Sequence, residues 1–127
     1  ILQNKNYDDP VTLADLKVNE MIIKKIKEKY KDINWEILSE ETVKIDSKNT
    51  NINSKWLWVL DPLDGTKDFI QKTGEYAIHI ALTFKNKPIL GMVVLPNKRD
   101  KLEITIGVND FDFFCSSNIH SPFCSGF

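Results

Sequence analysis

The sequence predicts a mixed α/β (α+β) domain in which a helix packs on a largely antiparallel sheet. Three observations carry that expectation. One long stretch near the N-terminus repeats apolar residues at helical spacing, several apolar runs of strand length follow it, and the turn chemistry between those runs suits hairpins rather than repeated βαβ units. With 127 residues and 42% hydrophobic content the chain can build one real core, which excludes disorder throughout.

Asp9-Pro10-Val11-Thr12 opens the helix, with Thr12 as N-cap and Asp15 in the place of a capping-box acid. The helix is expected from about Leu13 to about Tyr30. Leu13, Leu16, Ile23, Ile26 and Tyr30 form its core-facing stripe, and Lys24, Lys25, Lys27, Lys29 and Lys31 a solvated face interrupted by Glu28 and Asp32. Trp35 to Leu38 reads as a short strand ending at Ser39-Glu40-Glu41, followed by a polar loop from about Asp46 to Lys55. Trp56 to Leu60 is aromatic, β-branched and apolar on both faces, which suggests a buried central strand that stops at Asp61-Pro62 because proline cannot continue the ladder.

Gly65 to Ile70 reads as a turn running into a short helix. Ala77 to Phe84 and Ile89 to Leu95 are two strands joined by the hairpin loop Lys85-Asn86-Lys87-Pro88, and Leu102 to Ile106 is a further short strand. After Val108 the composition changes: five of the seven phenylalanines and both cysteines fall there, and lysine and arginine vanish. The division expected is residues 1–107 as one domain and 108–127 as an atypical tail. The chain opens at Ile1 without methionine, and the expectation is a fragment.

Lysine and arginine number 17 against 18 aspartate and glutamate, so the net charge of −1 makes no overall electrostatic case for nucleic acid or an anionic membrane. An acidic ligand must be held locally. No apolar run reaches the length of a membrane span and no leader is recognised, so a cytoplasmic protein is expected. Cys115 and Cys124 lack metal-finger spacing and are read as reduced thiols.

Chemistry concentrates at Asp61-Pro62-Leu63-Asp64-Gly65-Thr66. Two carboxylates three residues apart across a Pro-Leu bend, with Gly65 freeing the backbone, can point into one space, and the Leu63 carbonyl is a natural further ligand. Magnesium, a hard cation, prefers such oxygens. Asp-Pro and Asp-Gly are also common turn dipeptides, so a surface turn is the competing reading. Against it stands the apolar strand before the turn, which would carry two acids to a place where unpaired charge is costly. Glu40 and Glu41 end another strand and could reach the same sheet edge, or be exposed acids at a helix start. Thr66 adds a hydroxyl, and a helix start there would present Gly65 and Thr66 amides to an anion. Metal with amide donors suits phosphate ester hydrolysis. His79 shares a strand face with Ala77, Ala81 and Thr83 and reads as packed or hydrogen-bonded rather than as a ligand; His120 makes no metal site, and Trp35, Trp56 and Trp58 read as core aromatics.

Ser39-Glu40-Glu41, the run from Trp58 to Thr66, and Pro10-Val11-Thr12 with Ala14-Asp15 together resemble the inositol monophosphatase superfamily in order and spacing, from about Lys5 to about Thr105. Lys67-Asp68-Phe69-Ile70 and Gly74-Glu75-Tyr76 look most like its 3′(2′),5′-bisphosphate nucleotidase branch. The resemblance implies the N-terminal half of the layered sugar-phosphatase-like fold. It also implies magnesium at two or more sites, with Glu40, Asp61 and the Leu63 carbonyl on the first ion and Asp61 and Asp64 on the second. Asp15 would accept a hydrogen bond from Thr66, Thr66 with Glu40 would orient and help deprotonate the attacking water, and the backbone of Gly65 and Thr66 would hold phosphate. Glu41 and Lys5 are assigned to the surroundings of the site.

The implied partner is a small phosphorylated substrate, a nucleotide: the 3′-phosphate of adenosine 3′,5′-bisphosphate or its sulfated form. No oligomeric state is implied. An inositol or sugar phosphatase, an inactive metal- or phosphate-binding remnant, and a structural domain whose acids are surface turns are the competing readings. The family's Trp-Asp-x-x-Ala element, a further acid for the second metal, has no counterpart here, and the family's opening helix is missing or nearly so. The resemblance therefore implies an incomplete chain, with residues 1–107 as a partial N-terminal metal-binding domain and 108–127 as a frame-shifted or otherwise foreign end.

Overall fold

The computed structural model describes residues 3–4, 10–45, 52–98, 101–108 and 113–118. Strands β1 (Gln3–Asn4) and β2 (Pro10–Val11) pair antiparallel ahead of helix α1 (Leu13–Lys29). Thr12 caps α1: its Oγ1 accepts from the Ala14 and Asp15 amides at 3.1 and 3.3 Å, while the Asp15 carboxylate takes the Thr12 amide at 2.8 Å, completing the expected capping box.

Six further strands form one sheet in chain order: β3 (Trp35–Ser39), β4 (Trp56–Asp64), β5 (Ala77–Phe84), β6 (Lys87–Lys98), β7 (Lys101–Val108) and β8 (Phe113–Asn118). Only β3 and β4 run parallel, and the other neighbours are antiparallel. The largely antiparallel sheet is therefore as expected. A parallel pair needs a crossover, and helix α2 (Glu40–Ile45) lies in it. That helix falls where the sequence suggested the end of a strand or, as the competing reading, a helix start at Glu40-Glu41. Helix α3 (Thr66–Gln71) follows β4 at the expected place.

Register sorts the side chains into two faces. Trp35, Ser39, Trp58, Leu60, Ile80 and Met92 share one of them. Helix α1 covers its first two strands: Ser39, fully buried, donates to the Asn19 amide oxygen, and the Tyr30 ring meets Trp35 and Trp58 at 5.7 and 6.3 Å between centroids. Trp56 packs at a tilt against Phe84 at 4.5 Å and meets Trp35 at 5.3 Å, so the three tryptophans are packing residues. Each such aromatic pair adds about 0.5–1.5 kcal/mol beyond area burial. Leu13 departs from the expected stripe. At the first turn it lies 47% exposed, whereas Ile26, near the other end of α1, is buried.

Two strand boundaries also differ from expectation. Strand β4 does not stop at Pro62: Asp61 pairs with His79 and Asp64 with Ala77, so three steps on β4 match two on β5. Proline sits inside this bulge, one of the few strand positions that tolerates a missing N–H donor. The hairpin turn is shorter than expected, Lys85 and Asn86 alone having positive φ (48° and 63°), with Lys87 and Pro88 already in β6. Both central residues with positive φ make this the tight turn whose twist matches the strands it joins.

Lys5 and His120 lie outside the described residues, as do Cys124 and the Cys115 side chain. No helix among the described residues is long and apolar enough to cross a membrane.

Candidate active site

The bulge resolves a difficulty in the sequence motif. Residues three apart on a regular strand point to opposite faces, yet one extra residue on β4 returns Asp64 to the face that carries Asp61 and His79. The left-handed Gly65 (φ 85°) then turns the chain into α3, and a Cβ there would stand 2.8 Å from the Glu75 carbonyl oxygen. Glycine is required at that position by both backbone angle and space.

Glu40, at the start of α2, reaches Asp61 at the end of the apolar part of β4. Burial, the hydrogen bond with Glu40 and the Glu40 charge push the Asp61 carboxyl up to about 6, against a lowering contribution from the Leu63 amide, which donates to Asp61 Oδ1 at 3.1 Å. Two carboxylates in contact are stable only with a shared proton or a cation between them. The Leu63 residue is buried at 6% exposure, and its carbonyl lies 3.1 Å from Thr66 Oγ1. Asp61, Glu40 and this carbonyl offer the all-oxygen donor set that suits magnesium. Among the described residues no three His, Cys, Asp or Glu side chains stand close enough to enclose an ion.

Asp15 is 2% exposed and joins two elements. Its Oδ2 takes the Thr12 amide and hydroxyl, and its Oδ1 takes the Thr66 hydroxyl at 3.1 Å across 51 residues of sequence. The capping role and the expected bond to Thr66 therefore coexist on opposite oxygens of one carboxylate. Thr66 Oγ1 is equally distant from Asp15 Oδ1 and the Leu63 carbonyl. A charged acceptor makes the stronger bond, so the proton belongs to Asp15 and the carbonyl keeps its lone pairs.

The structure brings together Asp15 with Thr66, and Glu40 with Asp61, while Asp64 sits beside them on the solvent side. Glu41 is buried at 3% exposure on α2, not an exposed acid. His79, read from the sequence as packed or hydrogen-bonded, is half-exposed beside Asp64. Its Nε2 is 3.9 Å from Asp64 Oδ2, and it lines a cavity of about 630 Å³ with Glu40, Val43, Val59, Asp61 and Val93. Its alternation with Ala77 and Ala81 was visible, but only the β4–β5 register shows that Asp61 shares its face.

The site is thus an apolar strand ending in bulged carboxylates, backed by the buried Asp15 and its bond to Thr66. The chain belongs to the inositol monophosphatase family, whose pattern matches residues 2–110. Within it, the chain is 39% identical over 94 residues to the 3′(2′),5′-bisphosphate nucleotidase CysQ of Salmonella typhimurium, a match covering 72% of this chain and 36% of that protein. The fold agrees with a staphylococcal IMPase-I complexed with products (TM-score 0.72, 20% identity, 95% of this chain and 42% of that one). It also agrees with an IMPase/NADP phosphatase complexed with Mg²⁺ and phosphate (TM-score 0.71, 20% identity, 95% and 42%). The chain thus spans well under half the length of these relatives.

Proposed function

We propose that the chain carries part of the active site of a magnesium-dependent phosphomonoesterase acting on the 3′-phosphate of a nucleoside 3′,5′-bisphosphate, adenosine 3′,5′-bisphosphate or its sulfated form. The observation that carries this is the contact between Glu40 and Asp61, which places two carboxylates where a proton or a divalent cation must be shared. Resemblance to the CysQ nucleotidase over 94 residues supports the substrate class.

In this reading Glu40, Asp61 and the Leu63 carbonyl hold one ion, and Asp61 and Asp64 contribute to a second. Bound there, magnesium supplies positive charge that polarises phosphoryl oxygens and steadies the leaving oxygen. The remaining work belongs to the chain. Asp15 holds the Thr66 proton, so that Thr66 Oγ1 can accept a hydrogen bond from the attacking water. Glu40 takes up a proton from that water, and the amides of Gly65 and Thr66 hold phosphate oxygens. Residues 1–107 are proposed as the metal-binding portion, 108–127 as a tail of separate character, and the protein as cytoplasmic.

Phosphate release from adenosine 3′,5′-bisphosphate and from inositol 1-phosphate, each with and without Mg²⁺, tests the proposal. The expected result is Mg²⁺-dependent release that favours the nucleotide. Preference for inositol 1-phosphate would move the reading to an inositol phosphatase, and Mg²⁺-independent background with both would leave an inactive remnant.

A further inference from the structure

His79 is a chemistry-bearing residue of the site face, beside Asp61, to which the motif assigns nothing. It pairs with Asp61 in the β4–β5 ladder, and the extra residue between Asp61 and Asp64 bends β4 so that Asp64 comes back over the imidazole. The gap from Nε2 to Asp64 Oδ2 is 3.9 Å, within ion-pair reach and roughly an ångström longer than a hydrogen bond. Both side chains are substantially open to solvent, 43% for His79 and 60% for Asp64, so neither is locked by packing. An exposed carboxylate on a bulge samples several directions unless a donor fixes it, and His79 offers Asp64 such a donor.

We propose that His79 is a positioning residue for Asp64: its Nε2–H draws the carboxylate toward the space that Asp61 faces, preorganising the pair for a divalent cation. This rests on the reading of Asp61 and Asp64 as cation ligands. Imidazole suits the task because Nε2 carries a hydrogen in the cation and in one neutral tautomer, and because the ring reaches across the bulge from the neighbouring strand. Donors of this kind, which hold a ligand rather than touch the ion, commonly set affinity by about 10–100-fold.

Titration calorimetry of the full chain with Mg²⁺ tests it, using His79→Leu, His79→Gln and Asp61→Asn, with circular dichroism to confirm each fold. Leucine keeps the bulk without a donor, and glutamine keeps an N–H at the reach of Nε2. The expected result is about tenfold weaker binding for His79→Leu, within about twofold of the wild type for His79→Gln, and loss of binding for Asp61→Asn. His79→Ala repeats the loss of the donor should leucine disturb the strand. If the donorless variants bind as tightly as the wild type while Asp61→Asn does not bind, His79 does not position Asp64 and the cation reading survives. Equal weakening in His79→Leu and His79→Gln would also overturn the inference, since the ring and not its donor would be needed. Binding unchanged in Asp61→Asn would remove the cation reading itself, and the inference with it.

Discussion

Asp61 ties stability to pH in a direction opposite to that of most surface carboxylates. Its ordinary value is 3.8 and the folded, metal-free value is about 6, so the folded chain holds this proton more tightly than the unfolded one. Its contribution to folding is fully present below about pH 4 and is lost as pH rises through 6. Asp61→Asn, which cannot ionise, should therefore gain on the wild type in urea midpoint between pH 4.5 and 7.5 without Mg²⁺; a constant difference would reject the raised value. Where the wild type releases phosphate, the same substitution should cut that release by more than about a hundredfold with the fold intact. At Asp15 two losses combine. Thr12→Ala removes one cap at about 1 kcal/mol. Asp15→Ala also removes the charged acceptor of the half-buried Thr66 hydroxyl and should cost roughly 2–3 kcal/mol by chemical denaturation. The acids and Thr66 were legible as residues because three motifs resemble a known family in order and spacing. Their partners were less so: Glu41's burial and His79's place depend on which strands lie side by side.

At the scale of elements, turns make the sharper tests. Gly65→Ala would place a Cβ 2.8 Å from backbone oxygen at a φ of 85°, so a loss of at least about 2 kcal/mol is expected in urea unfolding. Asn86→Gly acts in the other direction. Asn86 has φ 63° in the hairpin turn, where glycine fits best, and the substitution leaves the Lys85 ammonium 5.3 Å from the Phe84 ring. A gain of about 0.5 kcal/mol or a neutral result is consistent, and a loss above about 1 kcal/mol would reject the turn assignment. The long helix, the β5–β6 hairpin and the start of β4 could be read from periodicity and turn residues. Helix α2 could not, because six residues are too few to show a period, and the continuation of β4 through Pro62 could not, because a bulge is a property of two strands.

For the whole molecule, α1 covers the sheet across β3 and β4, while Ile80, Leu82, Met92, Val94, Ile104 and Ile106 continue the same face and remain only partly buried. A contiguous apolar area of this kind binds amphiphilic dyes. Strong ANS fluorescence from the folded chain, falling when Met92 and Ile106 are changed to threonine, is the expected result; fluorescence at the level of a well-packed globular control would contradict it. The mixed architecture followed from the order of periodic segments, whereas the parallel β3–β4 pair did not, since pairing direction is set by the crossover and not by either strand. The shared carboxylate of Asp15 also imposes an order in time. Its bonds to Thr12 span three residues and close at little entropic cost as soon as the first turn of α1 forms. Its bond to Thr66 spans 51 residues and must wait until β4 has docked. A partly folded chain can therefore own a well-capped helix while its Thr66 hydroxyl still lacks direction, which makes chemical competence one of the last properties the fold acquires.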